Sequence, residues 1–329
     1  MLDLPRMHRI KLSARPRVQR AIAWTFLWPN YSLPPRVEVR FEGLDLVPDG
    51  PVIYAMNHTD RYNYWPFQYT LWRKSSRFTA TWVKGKYYDH PLIARFMEWT
   101  NNIPTGSRGY IITKDFVATL GRRPSDVEYA SLRDVVDRRV DDPTVDLPGI
   151  EPLFEQRRDI LGRTFVPSRE SWTAAINGVF DEMMARFVVL NRTAVELGLD
   201  LIVFPQGTRS KRLSRGRVGL SQIALTLNIP IVPVGCSGCD RVYPGGFPVA
   251  RGGHVVYRFG APITAADQDA FRPSEPFVPF TPADETAHRE RFQELVDVVM
   301  DRINDLVDEE YRFGADRQSR GVKGTRRFI

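Results

Sequence analysis

The stretch that decides the fold is residues 200–210, which read DLIVFPQGTRS. Its first half is a continuous apolar run, which is typical of a strand buried on both faces of a parallel sheet. A polar turn follows at once. In this turn Gly207 permits close approach of the backbone, Thr208 offers a hydroxyl, and Arg209 offers a guanidinium fork suited to phosphate. Since α/β sheets place their ligands beyond the carboxyl ends of parallel strands, the stretch predicts both a fold class and a site.

The segments on either side continue an alternation of apolar strands and helices. The pattern predicts strands at 37–41, 52–56, 76–83, 201–204, 229–234 and 254–259. It predicts helices near 64–73, 90–99, 180–197, 218–227 and 285–311. This alternation predicts an α/β fold with a mostly parallel central sheet flanked by helices. We expect a polar loop over Asn102 to Gly109.

The chain divides into a main domain with two basic ends. Residues 1–35 form a basic, aromatic N-terminal segment, 36–311 form the α/β domain, and 312–329 form a basic C-terminal tail. Within the domain, residues from about 112 to 178 carry mixed charges and no strong strand pattern. We expect this part to be an insertion of helical pieces and loops.

Composition excludes several classes of protein. The 329 residues are 43% hydrophobic and 26% charged, close to globular averages, which argues against wholesale disorder. Two cysteines are too few for a disulfide scaffold. No apolar run approaches the length that spans a bilayer, and no signal peptide is evident. We therefore expect the protein to be in a reducing environment, on the cytoplasmic side.

The net charge of +7 is concentrated at the two ends of the chain. Residues 1–20 and residues 311–329 each contain six Lys or Arg and one Asp, so the part between them is net negative. Basic tails can be solvated ends, or they can bind nucleic acid or an anionic membrane surface. No aromatic RNA-binding signature accompanies them, so we favour the membrane over nucleic acid as a partner.

The segment behind the first basic run strengthens the membrane interpretation. Residues 21–28 read AIAWTFLW, and two Trp and one Phe behind basic residues resemble an interfacial anchor. Their apolar positions do not form a clean stripe, so an ordinary core helix is an equal alternative. We expect peripheral attachment at the cytoplasmic face of a membrane.

Two further features resemble the turn after residue 204. His58 follows the buried strand 52–56 in the loop before a helix, where α/β folds place ligand sites. Residues 105–109 again combine small residues, hydroxyls and one guanidinium, that of Arg108. A histidine at the end of a strand is often structural, and either loop could be an ordinary polar loop. Together the three features suggest a phosphorylated substrate held beside a general base.

Other common sites are absent from the sequence. Neither a nucleotide-binding glycine loop, nor a nucleophile elbow, nor a zinc-protease motif occurs. Cys236 and Cys239 form one C-x-x-C pair, which without a second pair does not build a structural zinc site. We interpret them as small residues in a tight turn, with a redox pair as the alternative. We therefore expect neither a metal nor a bound cofactor.

Four blocks of this sequence resemble the glycerolipid acyltransferases, of the lysophosphatidate or glycerol-3-phosphate acyltransferase type. The family pattern is N-H-x4-D, a G-x-I-x-x-x-R-like block, F-P-E-G-T-R-S, and a V-P-I-V-P-V-like strand. The corresponding blocks here stand in the same order at 57–63, 103–108, 204–210 and 229–234. Arg217 and Gly219 resemble the basic-x-Gly that usually follows the third block.

The resemblance implies acyl transfer in phospholipid biosynthesis. His58 would take the proton of an acceptor hydroxyl as that oxygen attacks an acyl thioester, with acyl-CoA or acyl carrier protein as co-substrate. The acceptor would be a lysophospholipid or a related phosphorylated compound. Its phosphate would be held by Arg108 and by the third block through Gln206, Gly207, Thr208 and Arg209. The fourth block would help to shape the acyl site.

The sequence departs from the family pattern at both catalytic carboxylates. The family's Asp, five residues after the His, is Asn63 here, and the family's Glu in the third block is Gln206. In a serine protease triad, the corresponding Asp-to-Asn change lowers kcat about 10⁴-fold. Asn63 can still accept a hydrogen bond, or it can simply cap a helix. Asp60, two residues after His58, is a candidate substitute partner.

Two hypotheses therefore remain. The first is an active acyltransferase associated with a membrane, which the retained His58 and the two Arg-containing loops favour. The second is a non-catalytic binder of lipid or acyl thioester on the same scaffold, which Asn63 and Gln206 favour.

Overall fold

The computed structural model describes residues 1–138, 148–315 and 317–318. Most of the predicted C-terminal tail and the middle of the predicted insertion lie outside these residues. The strands are Val37–Glu42 (β1), Ile53–Met56 (β2), Thr79–Lys84 (β3), Asn102–Thr105 (β4), Arg158–Ile160 (β5), Arg163–Phe165 (β6), Asp200–Val203 (β7), Ile231–Ser237 (β8) and Gly253–Phe259 (β9). The helices are Leu4–Arg9 (α1), Arg17–Ile22 (α2), Trp28–Ser32 (α3), Tyr64–Ser75 (α4), Pro91–Trp99 (α5), Arg108–Leu120 (α6), Asp126–Arg138 (α7), Pro152–Glu155 (α8), Trp172–Glu196 (α9), Gly219–Leu227 (α10), Cys239–Val242 (α11), Ala265–Gln268 (α12), Pro282–Ala287 (α13) and Arg289–Leu306 (α14).

Seven strands form the central sheet, in the order β1-β9-β8-β2-β7-β3-β4. The five neighbours from β8 to β4 run parallel, β9 is antiparallel to β8, and β1 is parallel to β9. Ile53 of β2 lies beside Leu201 of β7 on one side and Ile231 of β8 on the other. The predicted α/β fold with a mostly parallel sheet flanked by helices is confirmed.

The sheet separates two apolar layers because successive side chains of a strand point to opposite faces. On β2, Ile53 and Ala55 pack in the layer that contains α9, α10 and α14. Tyr54 and Met56 pack in the other layer, against α4. All four side chains are fully buried, as the continuous apolar run predicts for a central strand.

The polar loop predicted over Asn102 to Gly109 is wrong for most of its length. Residues 102–105 form β4, the edge strand that pairs with β3, and α6 begins at Arg108. The strand tolerates a polar first residue because the Asn102 amide donates to the Thr100 hydroxyl at 2.7 Å. Ser107 caps α6 by accepting from the Tyr110 N–H, which leaves only a short turn between strand and helix.

The described part of the predicted insertion contains more regular structure than its sequence suggests. Besides helices, it contains the hairpin of β5 and β6, and α9 begins at Trp172, before the predicted start at 180. A buried ion pair joins the hairpin to α6: Arg158 donates to both carboxylate oxygens of Asp115 at 2.7 and 2.6 Å. The Trp172 indole N–H donates to the same carboxylate at 2.8 Å.

The predicted helix at 285–311 is two helices in the structure. His288 leaves the helical conformation, with ψ at 14°, so α13 ends there and α14 begins at Arg289. The apolar side of α14 packs on β8 and α10 and is buried as the 3.6-residue spacing predicts.

The N-terminal segment packs on the domain rather than extending from it. Leu2, Leu4 and Met7 are buried in the same core layer as α9. A π-helical turn at Ala23–Leu27 joins α2 to α3, and within it Trp24 is 48% exposed. Trp28 is 43% exposed. In the described part of the chain, no helix is both long enough and apolar enough to cross a membrane. The domain boundary at residue 36 stays a prediction.

Candidate active site

The site lies at the carboxyl ends of four adjacent parallel strands, β2, β7, β3 and β4. A cavity of about 770 Å³ opens there. The strand ends deliver His58, Phe204, Lys84 and Thr105 to its wall. Because these strands run in one direction, the loops that follow them all leave on the same edge of the sheet, as their sequence positions predict.

The backbone of His58 is held by the third motif block. The His58 N–H donates to Gln206 Oε1 at 3.1 Å, and the His58 carbonyl accepts from the Ser210 N–H at 2.9 Å. Gly207 turns this block with a positive φ of 67°, a conformation that L side chains rarely adopt. Two blocks far apart in sequence are therefore joined by one hydrogen bond to a side chain and one between main-chain groups.

Asn63 determines which nitrogen of the His58 ring carries the proton. The Asn63 amide nitrogen donates to the Asn57 carbonyl at 2.8 Å, which directs the amide oxygen toward His58 Nδ1 at 3.1 Å. Because an amide oxygen only accepts, Nδ1 must donate, and the proton of the neutral ring therefore sits on Nδ1. Nε2 is then left with a lone pair, which is the arrangement that a general base requires.

Gln206 repeats this arrangement on the other side of His58. Its amide oxygen accepts from the His58 N–H, while its nitrogen donates to the Arg212 carbonyl at 3.3 Å and the Ser214 hydroxyl at 3.4 Å. Both residues that replace family carboxylates thus direct an oxygen to His58 and an N–H to a main-chain carbonyl. A carboxylate would lack the N–H that the carbonyl needs.

The surroundings of His58 strongly favour its neutral form. The ring stacks on Phe204 with centroids 4.1 Å apart. Burial, the largest cause, lowers the pKa of His58 to about 3, and the positive charges of Arg209 and Lys84 act in the same direction. The hydrogen bond to Asn63 opposes this shift only in part. A full carboxylate at position 63 would raise the pKa by its charge.

The Asp60 carboxylate contacts its neighbours in the chain. Its carboxylate accepts from the Tyr62 N–H at 2.7 Å and from the Thr59 hydroxyl at 2.8 Å. Burial raises the pKa of Asp60 to about 6, and the hydrogen bonds from Tyr62, Thr59 and Cys239 oppose this rise. The substitute-partner role of Asp60 stays a prediction that these contacts do not favour.

Three of the predicted phosphate-binding residues line the cavity, namely Gly207, Thr208 and Arg209. Arg108 is placed differently. It donates to the Asn177 amide oxygen at 2.8 Å and lies over the Phe180 ring, so it faces α9 and not the cavity. Gln206 is buried behind the cavity wall.

Sequence reasoning missed most of the cations that do line the cavity. Arg61, Lys84, Lys86 and Arg217 lie on its wall together with Arg209, and no Asp or Glu among the described residues joins them. For Arg217 the sequence did contain an indication, because its position matches the basic residue of the basic-x-Gly pattern after the third block. Lys84 ends β3 and Lys86 lies in the short helical turn that follows, and a single sequence reveals no signal for either.

A large part of the cavity wall is apolar. This part is formed by side chains of α4, β3 and α5, among them Trp65, Trp82, Leu92, Phe96 and Met97. Leu92 is 75% exposed at the mouth. Such a cavity suits a molecule with a charged end and a long apolar end.

Pro230 and Pro233 of the fourth block are not on the cavity wall. Their carbonyls accept from the Ile53 and Gly260 N–H groups, so the block holds the sheet together beside β2. Cys236 and Cys239 are free and buried. Among the described residues, no group of His, Cys, Asp or Glu is arranged to hold a metal ion.

Comparison with known proteins gives one sequence match and one structural match to report. Over 118 residues the chain is 30% identical to a 1-acyl-sn-glycerol-3-phosphate acyltransferase of Cocos nucifera. The match covers 35% of this chain and 35% of that protein, so the chain spans about a third of the length of the curated relative. No protein-family model matches the chain.

The structural match is to the 1-acyl-sn-glycerophosphate acyltransferase PlsC of Thermotoga maritima. It has a TM-score of 0.41 at 14% identity and covers 86% of this chain and 79% of that chain. The sequence match to the coconut protein, with the four motif blocks in family order, confirms the resemblance of this chain to the glycerolipid acyltransferases.

Proposed function

We propose that this chain is an acyltransferase that moves a fatty acyl group from an acyl thioester to the hydroxyl of a lysophospholipid or a related phosphorylated acceptor. The observation that carries the proposal is the state of His58. Asn63 leaves its Nε2 as an acceptor, on the wall of a cavity that is lined by cations and by apolar side chains. The curated relative is named for the same chemistry.

In this mechanism His58 Nε2 takes the proton of the acceptor hydroxyl as its oxygen attacks the thioester carbonyl carbon. A C–O bond forms, the C–S bond breaks, and the leaving thiolate takes up the proton. Arg209 and Arg217 would hold the acceptor phosphate, and the apolar part of the wall would hold an acyl chain. Such positioning can supply a large share of the barrier lowering. The acyl donor would be acyl-CoA or acyl carrier protein.

Membrane attachment is part of the proposal. The mouth of the cavity carries Leu92, Ile93 and Pro248, and next to Pro248 the side chain of Phe247 is 73% exposed. Exposed apolar side chains at the mouth of a site for amphiphiles suit the surface of an anionic membrane. The half-exposed Trp24 and Trp28 would add to this contact.

The test of the function is acyl transfer from labelled acyl-CoA, and separately from acyl carrier protein, to a panel of lysophospholipids and glycerol phosphate. We expect His58→Ala to lower transfer about 10²- to 10⁴-fold, the usual contribution of a general base. The matched control is His90→Ala, which removes an exposed histidine at the start of α5. Full transfer by folded His58→Ala would overturn the proposal.

The membrane part is tested separately by sedimentation with vesicles that contain phosphatidylglycerol. Phe247→Glu should weaken binding to the vesicles about tenfold or more, because a charge replaces an apolar contact. Val278→Glu is the matched control, since Val278 is 61% exposed and, unlike Phe247, has no chain neighbour on the cavity wall. Equal binding of wild type and Phe247→Glu would remove this face from the proposal.

A second candidate function is a non-catalytic binder of lipid or acyl thioester. The amides at 63 and 206 favour it, because neither brings a negative charge to the His58 ring. It predicts binding of a lysophospholipid or acyl-CoA without any transfer. Transfer that depends on His58 would refute the binder.

A further inference from the structure

A second cavity lies beside the first, between the ends of β3 and β4 and the helices α6 and α7. Its volume is about 370 Å³. Five residues line both cavities and form the boundary between them, Lys84, Lys86, Thr105, Gly207 and Arg217. The two spaces therefore adjoin along a boundary that carries three cations of the candidate active site.

The far wall of the second cavity comes from the predicted insertion. Helix α7 contributes Tyr129 and Arg133. This helix is firmly placed, because Leu132 and Val136 are fully buried and the Val136 carbonyl accepts from the Asn177 amide of α9 at 3.0 Å. The insertion thus completes a pocket that strands β3 and β4 alone would leave open.

The wall of the second cavity is cationic. Lys84, Lys86, Arg133 and Arg217 line it, and no Asp or Glu of the described chain does. The side chains of Lys86 and Arg217 have no hydrogen bond or ion pair to any described residue. Arg133 has one ion pair, through its Nε to Asp137 on the same helix at 2.5 Å, which leaves its two terminal nitrogens available.

Three hydroxyl groups complete the wall, those of Thr105, Ser107 and Tyr110. The Thr105 hydroxyl already donates to the Val83 carbonyl and the Tyr110 hydroxyl to Asp89, so Ser107 is the one that can donate to a ligand. Ser107 stands at the start of α6, where main-chain N–H groups favour an anion. The like charges on this wall repel one another, and neither Lys86 nor Arg217 has a carboxylate partner among the described residues, so an anion bound among them would stabilise the protein. Phosphate oxygens suit Arg forks and hydroxyl donors together.

We propose that this second cavity binds a second phosphate group of the substrates, beyond the phosphate placed at Arg209. The inference rests on the proposed function and deepens it. The group is either a further phosphate on the headgroup of the acceptor or a phosphate of acyl-CoA. In both cases Arg133 of the insertion is the residue that selects the substrate.

The charge environment of Lys86 supports this assignment. Burial lowers the pKa of Lys86, and the nearby charges of Arg209, Arg61 and Lys114 lower it further, against the opposing charge of Asp89. The carboxylate of Asp89 is already engaged by Lys114 at 2.7 Å and by the Tyr110 hydroxyl at 2.9 Å. A bound phosphate would supply the negative charge that this part of the wall lacks.

The first experiment measures binding without catalysis, by calorimetric titration of the full chain with inorganic pyrophosphate. We expect Arg133→Ala to weaken binding about tenfold to a hundredfold, because it removes a charge-assisted contact. Arg138→Ala is the matched control. Arg138 lies on the same helix with the same i,i+4 pairing, to Asp134, and does not line the cavity. Equal affinity of wild type and Arg133→Ala would overturn the inference.

The second experiment identifies the source of the phosphate. Transfer is compared for an acceptor with one phosphate and one with an additional terminal phosphate, each with acyl-CoA and with acyl-pantetheine, which lacks the nucleotide phosphates. A tenfold loss in Arg133→Ala confined to the two-phosphate acceptor assigns the group to the acceptor. A loss confined to acyl-CoA assigns it to the donor. Wild-type rates for Arg133→Ala in all combinations would overturn the inference. If the wild type transfers nothing, the proposed function fails. The pyrophosphate titration still tests whether the second cavity binds phosphate.

Discussion

Charged side chains are placed differently at the two ends of the parallel strands, which we call the amino edge and the carboxyl edge of the sheet. At the amino edge, Asp200 opens β7 and is fully paired: Arg77 donates to both its carboxylate oxygens at 2.8 and 2.6 Å, and the Val52 N–H donates at 3.1 Å. At the carboxyl edge, amides stand where the related family has carboxylates, and cations such as Arg217 have no partner among the described residues. Paired charge at one edge is structural, and unpaired charge at the other is available to a ligand.

The comparison also explains why a buried carboxylate is tolerated at one edge and replaced at the other. Asp200 is almost fully buried, yet three N–H groups face its oxygens. Position 63 is fully buried too, but its neighbour on one side is the Asn57 carbonyl, which needs a donor. An amide satisfies both neighbours there, and a carboxylate satisfies only one.

The largest effect is expected from breaking the pair at the amino edge. Arg77→Ala should lower the free energy of unfolding by about 3–5 kcal/mol, because it leaves the Asp200 charge buried without compensation. Urea denaturation measures this. Arg40→Ala removes the exposed pair with Glu38 and should cost at most about 1 kcal/mol. A loss no larger than that of the control would show that the amino edge does not depend on this ion pair.

The second effect concerns the protonation of His58. A pKa near 3 in the folded state, below the ordinary 6.5, means that His58 favours folding above pH 6.5 and that this stability is lost as the pH falls from about 6.5 toward 3. For the same reason, protonation of His58 should not lower kcat/KM between pH 8 and pH 5. Protonation of a catalytic histidine with a pKa of 6.5 would lower kcat/KM about 30-fold at pH 5.

NMR titration of the imidazole measures this pKa directly. Asp60 has the opposite effect on the pH dependence of stability. Because its pKa is raised to about 6, its contribution to stability is complete below pH 3.8 and is lost as the pH rises through 6. The titration is therefore repeated in Asp60→Asn. An imidazole that titrates near 6.5 in both proteins would contradict the expected neutrality of the carboxyl edge.

The third effect tests whether the amide at position 63 is needed. Asn63→Asp should raise the pKa of His58, because a negative charge favours the imidazolium. It should also lower the free energy of unfolding by about 1–3 kcal/mol, because the Asn57 carbonyl loses its donor.

Asn101→Asp is the matched control for this change. Asn101 is equally buried and its amide donates to the Ser13 carbonyl at 2.8 Å, so the same loss of stability is expected without any shift at His58. Urea denaturation and imidazole titration separate the two effects. An Asn63→Asp protein as stable as wild type would mean that this edge accepts a carboxylate after all.

The smallest effect on stability is expected at Arg217. Because its side chain has no described partner and is exposed, Arg217→Ala should change the free energy of unfolding by no more than about 0.5 kcal/mol. The same variant should bind inorganic phosphate less tightly than wild type, which calorimetry measures. A large loss of stability would make Arg217 structural, like Arg77, and would remove the contrast between the edges.

Sequence patterns predicted the central strands and the candidate base because both depend on local signals. The apolar run at 201–204 and the strand before His58 each consist of consecutive apolar residues, a pattern that by itself predicts a buried strand of a parallel sheet. The edge strand β4 was missed because its stability comes from pairing with β3 and from the Asn102–Thr100 contact, neither of which is visible in a short polar stretch. The break at His288 was missed for the same kind of reason, since the apolar spacing continues through it.

By itself, therefore, the sequence determined the fold class, the order of the motif blocks, and the residue types at the carboxyl edge. Only the tertiary structure decided what those residues contact. It turned Arg108 toward α9, brought Lys86 and Arg217 to the first cavity, and placed them with Arg133 of the insertion on the wall of the second. The physical reason is that strand and helix patterns arise from neighbours along the chain, whereas the partners of a long charged side chain are set by packing between distant segments.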